Sequence, residues 1–135
     1  MRIAVTSDLH YDPRGSLTPP DAIASLADAL MERLTRVAAD PTVRSIVVVT
    51  HVPVVEAQMV RRPDDPRWSF SNAYFGHLTL GARVVSEPKV RAIVSGHTHC
   101  AVRALHDRPD ARGGPIDVRV VGSDYGAPTF VVIDL

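Results

Sequence analysis

The segment RSIVVVT, residues 44 to 50, constrains the fold more than any other part of the chain. Its apolar residues form a nearly continuous run of strand length instead of alternating with polar residues. Such a run indicates a strand that is buried on both faces, as in a sheet covered by other layers. The sequence therefore predicts an α/β fold in which this strand belongs to the buried part of the sheet.

A helix is predicted directly before this strand, at about residues 20 to 39. Thr18 is a candidate N-cap, with Pro19 at the first helical position and Asp21 three residues after the cap. Apolar residues then recur at spacings of three and four: Ile23, Leu26, Ala27, Leu30, Leu34 and Val37. This spacing gives one apolar stripe that can pack on a sheet.

The remaining pattern adds further strands and one short helix. A β-branched run, RIAVTS at residues 2 to 7, predicts a first strand, and VRAIVS predicts another after a short helix at about 80 to 87. The end of the chain predicts a meander of three strands, AVRAL, IDVRVVG and TFVVIDL. Residues 56 to 79 carry no regular pattern.

Composition bounds the class of protein. A chain of 135 residues with 45% apolar residues fits a single domain with a real core. Fifteen basic and fifteen acidic residues cancel, so neither nonspecific nucleic-acid binding nor binding to an anionic membrane is expected. One cysteine, no signal-peptide pattern in MRIAVTSDLH and no long apolar run make a soluble cytoplasmic protein the expectation.

Polar residues suited to metal binding follow three of the predicted strands. Asp8 and His10 follow the first strand, His51 follows the second, and His97 and His99 follow VRAIVS. Side chains two residues apart lie on the same side of an extended backbone, so each i, i+2 pair can face a common point. In open α/β sheets ligands bind beyond the carboxyl ends of the strands, where these five residues would converge.

Three short blocks, SDLH, VVVTHVP and SGHTHC, resemble signature blocks of the calcineurin-like metallophosphoesterases and occur in the same order. Gly96 stands where that pattern has its glycine. The resemblance implies a two-layer β-sandwich flanked by helices, here as one internally shortened domain over residues 1 to 135. It also implies a two-metal centre that hydrolyses phosphomonoesters or phosphodiesters.

The resemblance further implies how the ligands divide between the two ions. Asp8, His10 and His99 would hold one metal, and His51 and His97 the other. A carboxylate combined with imidazoles suits Mn, Fe or Zn better than Ca or Mg. Two such ions clamp the phosphate, lower the pKa of a bound water and stabilise the charge on the attacking and leaving oxygens.

The chain departs from the family in its middle. The family has a Gly-Asp block, whose aspartate bridges the metals, and a Gly-Asn-His block that assists the leaving group. This sequence contains no Gly-Asp and no Gly-Asn dipeptide, so both blocks are missing. No catalytic residue beyond the metal ligands can therefore be assigned. We hypothesise that one divalent ion binds moderately and a second weakly or not at all. The alternative is a non-catalytic relic or association module, and a shortened sheet with unpaired strand edges predicts possible homo-oligomers.

Other polar residues receive simpler interpretations. Asp124 is expected in a turn, Asp12 in a loop, and Cys100 as a small buried thiol. The histidines at positions 77 and 106 are expected to be ordinary polar residues. Arg61, Arg62 and Arg67 could face an anionic substrate, but a solvated loop is the simpler reading.

Overall fold

The structure, a computed structural model, describes residues 2–5, 20–62, 64–67, 77–108, 110, 112–123 and 126–134. The strands are β1 (Arg2–Val5), β2 (Ile46–Val49), β3 (Val90–Ser95), β4 (Val102–His106) and β5 (Ile116–Val120). The helices are α1 (Pro20–Ala39) and α2 (Leu78–Val85), with a 3-10 turn at Glu56–Gln58. Each described element except this turn lies where the apolar pattern predicted one.

The five strands form one mixed sheet in the order β1-β2-β3-β5-β4. β1, β2, β3 and β5 run parallel to one another, and β4 runs antiparallel to β5. The α/β class is therefore confirmed. The described residues contain this one sheet, so the second sheet of a sandwich stays a prediction.

Both helices pack on the same face of the sheet. The strands β1, β2 and β3 follow one another across the sheet in chain order, and right-handed crossovers in one direction place their helices on one side. The shared core joins α1 and α2 to β2, β3 and β5, through Ala27, Leu34, Ile46, Val48, Leu80, Val84, Ile93 and Val118, among others. None of the described helices combines the length and the apolar character that a bilayer crossing requires.

The opposite face carries a smaller apolar cluster. Val47, Ala92 and Val94 are buried there, and Val131 and Ile133 of the C-terminal segment pack against them. The sequence predicted a strand for this segment, TFVVIDL, and that prediction is wrong for its described residues, which have no strand assignment. The physical reason is that side-chain packing and a bond from Arg119 Nη1 to the carbonyl oxygen of Val132 (2.8 Å) hold the segment. Its described residues form no ladder of backbone hydrogen bonds with a neighbouring strand.

Candidate metal centre

The carboxyl ends of the parallel strands lie at one edge of the sheet, and the loops that follow them are bonded to one another. The amide of Thr50 donates to the carbonyl oxygen of Val94 (2.9 Å), and the amide of Gly96 donates to that of His51 (3.1 Å). Because these bonds extend the β2–β3 pairing beyond the strands, His51 and the SGHTHC loop are fixed next to each other.

His51 and His97 face each other at this edge. The Nδ1 atom of His97 lies 2.8 Å from the Nε2 atom of His51, and the ring centroids are 4.8 Å apart at an interplanar angle of 78°. Two nitrogens on one tetrahedral zinc lie about 3.3 Å apart, since each Zn–N bond is about 2.0–2.1 Å long. A separation wider by about 0.5 Å would let both nitrogens bind one ion.

The backbone at His97 and His99 is left-handed, with φ of 65° and 54°. The expectation that the two side chains share one side of an extended chain is therefore wrong, because β3 ends at Ser95. The amide of Thr98 donates to the carbonyl oxygen of Gly96 (2.8 Å), which closes a γ-turn around His97. Left-handed non-glycine residues cost about 1–3 kcal/mol each and cluster at functional sites.

His99 is oriented by the loop that follows β5. Its Nδ1 contacts the carbonyl oxygen of Ser123, which only accepts hydrogen bonds, so Nδ1 must carry the proton. In the neutral ring the lone pair then lies on Nε2, the atom that a metal would bind. Metal-binding histidines commonly donate their second ring N–H to a carbonyl in this way.

The structure brings together part of the predicted ligand set. His51 and His97 are in contact, and His99 is held beside β5 by Ser123. Asp8 and His10 lie outside the described residues. Among the residues that are described, no three His, Cys, Asp or Glu side chains form a group that could hold a metal ion.

Two buried hydroxyls lie in this part of the chain. Ser95 Oγ and Thr98 Oγ1 are buried and have no hydrogen-bond partner among the described residues, whereas Thr50 Oγ1 donates to the carbonyl oxygen of Val52 (2.7 Å). Sequence analysis did not identify them, because serine and threonine in a strand-to-loop segment are read first as turn residues.

Outside the predicted ligand set, His77, Cys100 and Arg61 lie in the described part of the chain. His77 is the N-cap of α2, where its Nδ1 accepts from the amide of Leu80 (3.1 Å). Cys100 is a half-buried free thiol. Arg61 forms an exposed double contact with Glu56 at 2.7 and 2.6 Å, as a solvated loop would have. Asp12 and Asp124 lie outside the described residues.

Gln58 supports the loop that carries His51, and sequence analysis missed it. Its side chain is fully buried, and its Oε1 accepts from the amides of Val54 (2.9 Å) and Val55 (3.3 Å). Its Nε2 donates to the carbonyl oxygen of Arg119 on β5 (3.0 Å). No local pattern marks a glutamine for this role, because its partners include a residue 61 positions away.

Comparisons of the chain with protein-family models, with curated protein sequences and with solved structures found no match. Membership of the calcineurin-like family therefore stays a prediction from the three sequence blocks.

Proposed function

We propose that this protein is a metal-dependent phosphoesterase of the calcineurin-like type, acting on a phosphomonoester or phosphodiester. The observation that carries the proposal is the 2.8 Å approach of His97 Nδ1 to His51 Nε2 at the carboxyl edge of a parallel sheet. The two nitrogens come from loops fixed to neighbouring strands, so little backbone movement is needed for both to bind one ion.

The donor set fits a divalent transition metal. Imidazole nitrogens combined with the carboxylate of Asp8 suit Mn, Fe and Zn, and the tautomer of His99 presents a lone pair on Nε2. Asp8 and His10 would join His99 at one ion, and His51 and His97 would hold the other. A bound ion would supply a water of lowered pKa and a positive charge for the phosphoryl oxygens.

The residues also limit how many ions are held. His51 and His97 are neutral ligands, and no carboxylate of the Gly-Asp type is present in the sequence to bridge two dications. Asp8, His10 and His99 number three, the usual protein ligand count of a mononuclear catalytic zinc site. The proposal is therefore one ion bound with moderate affinity per chain, and a second ion bound weakly or not at all.

The missing bridging aspartate also favours a second candidate function. In that alternative the chain is a non-catalytic relic that keeps part of the fold and acts by association. Metal content and hydrolysis distinguish the two, because the relic needs neither.

To test the proposal, the purified chain is loaded with Mn or Zn, free ions are removed, and bound metal is counted by elemental analysis. Hydrolysis of p-nitrophenyl phosphate and of bis(p-nitrophenyl) phosphate is then measured. We expect about one ion per chain. His99→Ala should remove both the ion and the hydrolysis, whereas His106→Gln, which changes a histidine on β4, should keep both.

Two tightly held ions per chain would contradict the one-ion proposal. The phosphoesterase proposal would be contradicted if the wild-type chain retains no metal after loading. It would also be contradicted if the wild type and His99→Ala hydrolyse the substrates at equal rates, and either result would support the alternative.

A further inference from the structure

β4 is the last strand of the sheet, and its outer edge is suited to pairing with another strand. In the described part of the chain no strand pairs with that edge. The register to β5 is continuous from Val102 opposite Val120 to His106 opposite Ile116, without a bulge. β4 also contains neither lysine nor proline, two residues that natural edge strands use to prevent pairing.

Two exposed residues share one face of β4, and a third exposed residue comes directly after the strand, which ends at His106. Leu105 is 71% exposed, and Arg103 and Asp107 are also exposed. Residues at i, i+2 and i+4 share a face of an extended chain. If pairing extends β4 by one residue, to Asp107, the edge presents a cation, an apolar side chain and an anion in sequence.

We propose that β4 pairs antiparallel with β4 of a second copy, about a two-fold axis at Leu105. This register places Leu105 opposite Leu105 of the second copy. It places Arg103 opposite Asp107 of the second copy, and the symmetry repeats that ion pair on the other side of the axis. Opposite charges and apolar pairs facing one another directly across strands stabilise an antiparallel ladder.

Neighbouring registers are less favourable. A two-fold axis perpendicular to the sheet brings residues of the same face opposite each other. The possible axes are therefore centred on single residues of β4, and neighbouring registers differ by moving the axis one residue along the strand. An axis at Ala104 would place Arg103 opposite Leu105, and an axis at Arg103 would place two guanidinium groups opposite each other. Of these registers, only the axis at Leu105 places both exposed charges, Arg103 and Asp107, opposite a charge of the other sign.

Arg103 is available for this contact. The ion-pair partner of Asp117 is Arg119, at 2.6 Å, and Arg103 adds a weaker attraction that also lowers the pKa of Asp117. The guanidinium of Arg103 thus carries its charge on the exposed surface beside the edge.

The dimer is independent of the proposed hydrolysis. β4 begins beside the candidate metal centre, so antiparallel pairing places the two centres at opposite edges of a ten-stranded sheet, and neither copy supplies ligands to the other. A five-residue edge is smaller than the roughly 800 Å² per partner of a standard interface, so the dimer should be weak and concentration-dependent. Salt should weaken it further, because the ion pairs are exposed.

Sedimentation analysis of the full chain over a range of concentrations tests the proposal. The wild type should change from monomer to dimer as concentration rises. Arg103→Asp and Asp107→Arg each set like charges opposite one another at two positions, so each should raise the dimer dissociation constant about tenfold or more.

A mixture of the two single variants supplies the decisive control. In the mixture Arg103→Asp and Asp107→Arg chains pair with opposite charges at both positions, so heterodimers should form where neither variant dimerises alone. This association would also show that both variants are folded. A wild type that stays monomeric throughout, single variants that dimerise like the wild type, or a mixture that stays monomeric would each overturn the proposal.

Discussion

Gly81 of α2 lies against the carbonyl oxygen of Val54, so close that a β-carbon built at Gly81 would be 1.7 Å from that oxygen. Val54 belongs to the loop that begins at His51. The amide of His77, at the start of α2, also donates to the carbonyl oxygen of Pro53 (3.1 Å). The helix and the histidine loop therefore touch backbone to backbone, which fixes the loop that carries a predicted metal ligand.

Gly81→Ala should destabilise the protein by about 2–4 kcal/mol, because neither backbone can move away without disturbing the core. Gly96→Ala is the matched control. A β-carbon at Gly96 has its nearest neighbour, the carbonyl oxygen of His51, at 3.9 Å, which is ordinary contact. Urea unfolding should show a change within about 1 kcal/mol for this variant. Equal losses in the two variants would contradict the packing described for Gly81.

Gln58→Leu should cost about 2–4 kcal/mol, because the amides of Val54 and Val55 would lose their acceptor while buried. Gln58→Glu keeps the acceptor but places a carboxylate beside the carbonyl oxygen of Arg119. We expect Gln58→Glu to be unstable near about pH 7 and to gain stability relative to Gln58→Leu toward about pH 5, since a protonated carboxyl can donate to that carbonyl. Unfolding midpoints of both variants at the two pH values check this, and a constant difference between them would contradict it.

The sequence was sufficient for elements whose signal is local. The apolar run at residues 46 to 49 forms a strand buried on both faces, and the stripe of α1 packs on the sheet through Ala27 and Leu34. Periodicity identifies such elements because burial itself imposes the period. The C-terminal segment has the same composition as a strand, but a strand also needs a partner, and composition does not specify one.

The candidate site was predictable only in outline. Strand order brings His51 and His97 together, as the convergence of strand ends predicted. The left-handed backbone at His97 and the carbonyl of Ser123 bonded to His99 depend on the tertiary arrangement of the loops. Local sequence specifies neither, because most histidines are not left-handed even though histidine is enriched in that region, and a carbonyl partner has no side-chain signature.

Arg108 is a buried cation whose guanidinium donates hydrogen bonds to carbonyl oxygens. In the described part of the chain it forms no ion pair with a carboxylate. It donates to Gly114 (2.7 Å), Glu87 (2.9 Å), Val85 and Val90. Burial lowers its pKa below the usual value, and the neighbouring Arg91 lowers it further. This side chain thus ties the loop after β4 to the end of α2 and the start of β3.

Arg108→Met should destabilise the protein by about 2–4 kcal/mol, because four carbonyls, two of them in buried bonds and two in partly buried ones, lose a charged donor. Arg108→Lys should recover only part of this loss, since an ammonium lacks the planar fork that reaches several carbonyls. Arg112→Met is the control, because Arg112 is exposed and forms a surface ion pair with Asp110. Denaturant unfolding of the three variants measures the differences, and a loss no larger for Arg108→Met than for Arg112→Met would contradict the role assigned to Arg108.

Asp117 and Arg119 form a half-buried ion pair on β5, with Nη2 of Arg119 2.6 Å from a carboxylate oxygen of Asp117. The hydrogen bond from Arg119 lowers the pKa of Asp117 below its usual value, despite the opposing effect of burial. Because the folded-state pKa is the lower one, the pair stabilises the fold above the unfolded carboxyl pKa of about 3.9, and the contribution is lost as pH falls through the folded value.

Asp117→Asn should therefore unfold at a lower temperature than the wild type near about pH 7, and the difference should shrink below about pH 4. The variant should also loosen the C-terminal segment, because Arg119 holds the carbonyl oxygen of Val132 while Asp117 orients its guanidinium. Thermal unfolding across this pH range measures the first effect, and hydrogen exchange at residues 131 to 134 measures the second. A difference that does not vary with pH would mean that the charge of Asp117 contributes nothing and that the substitution acts through packing alone.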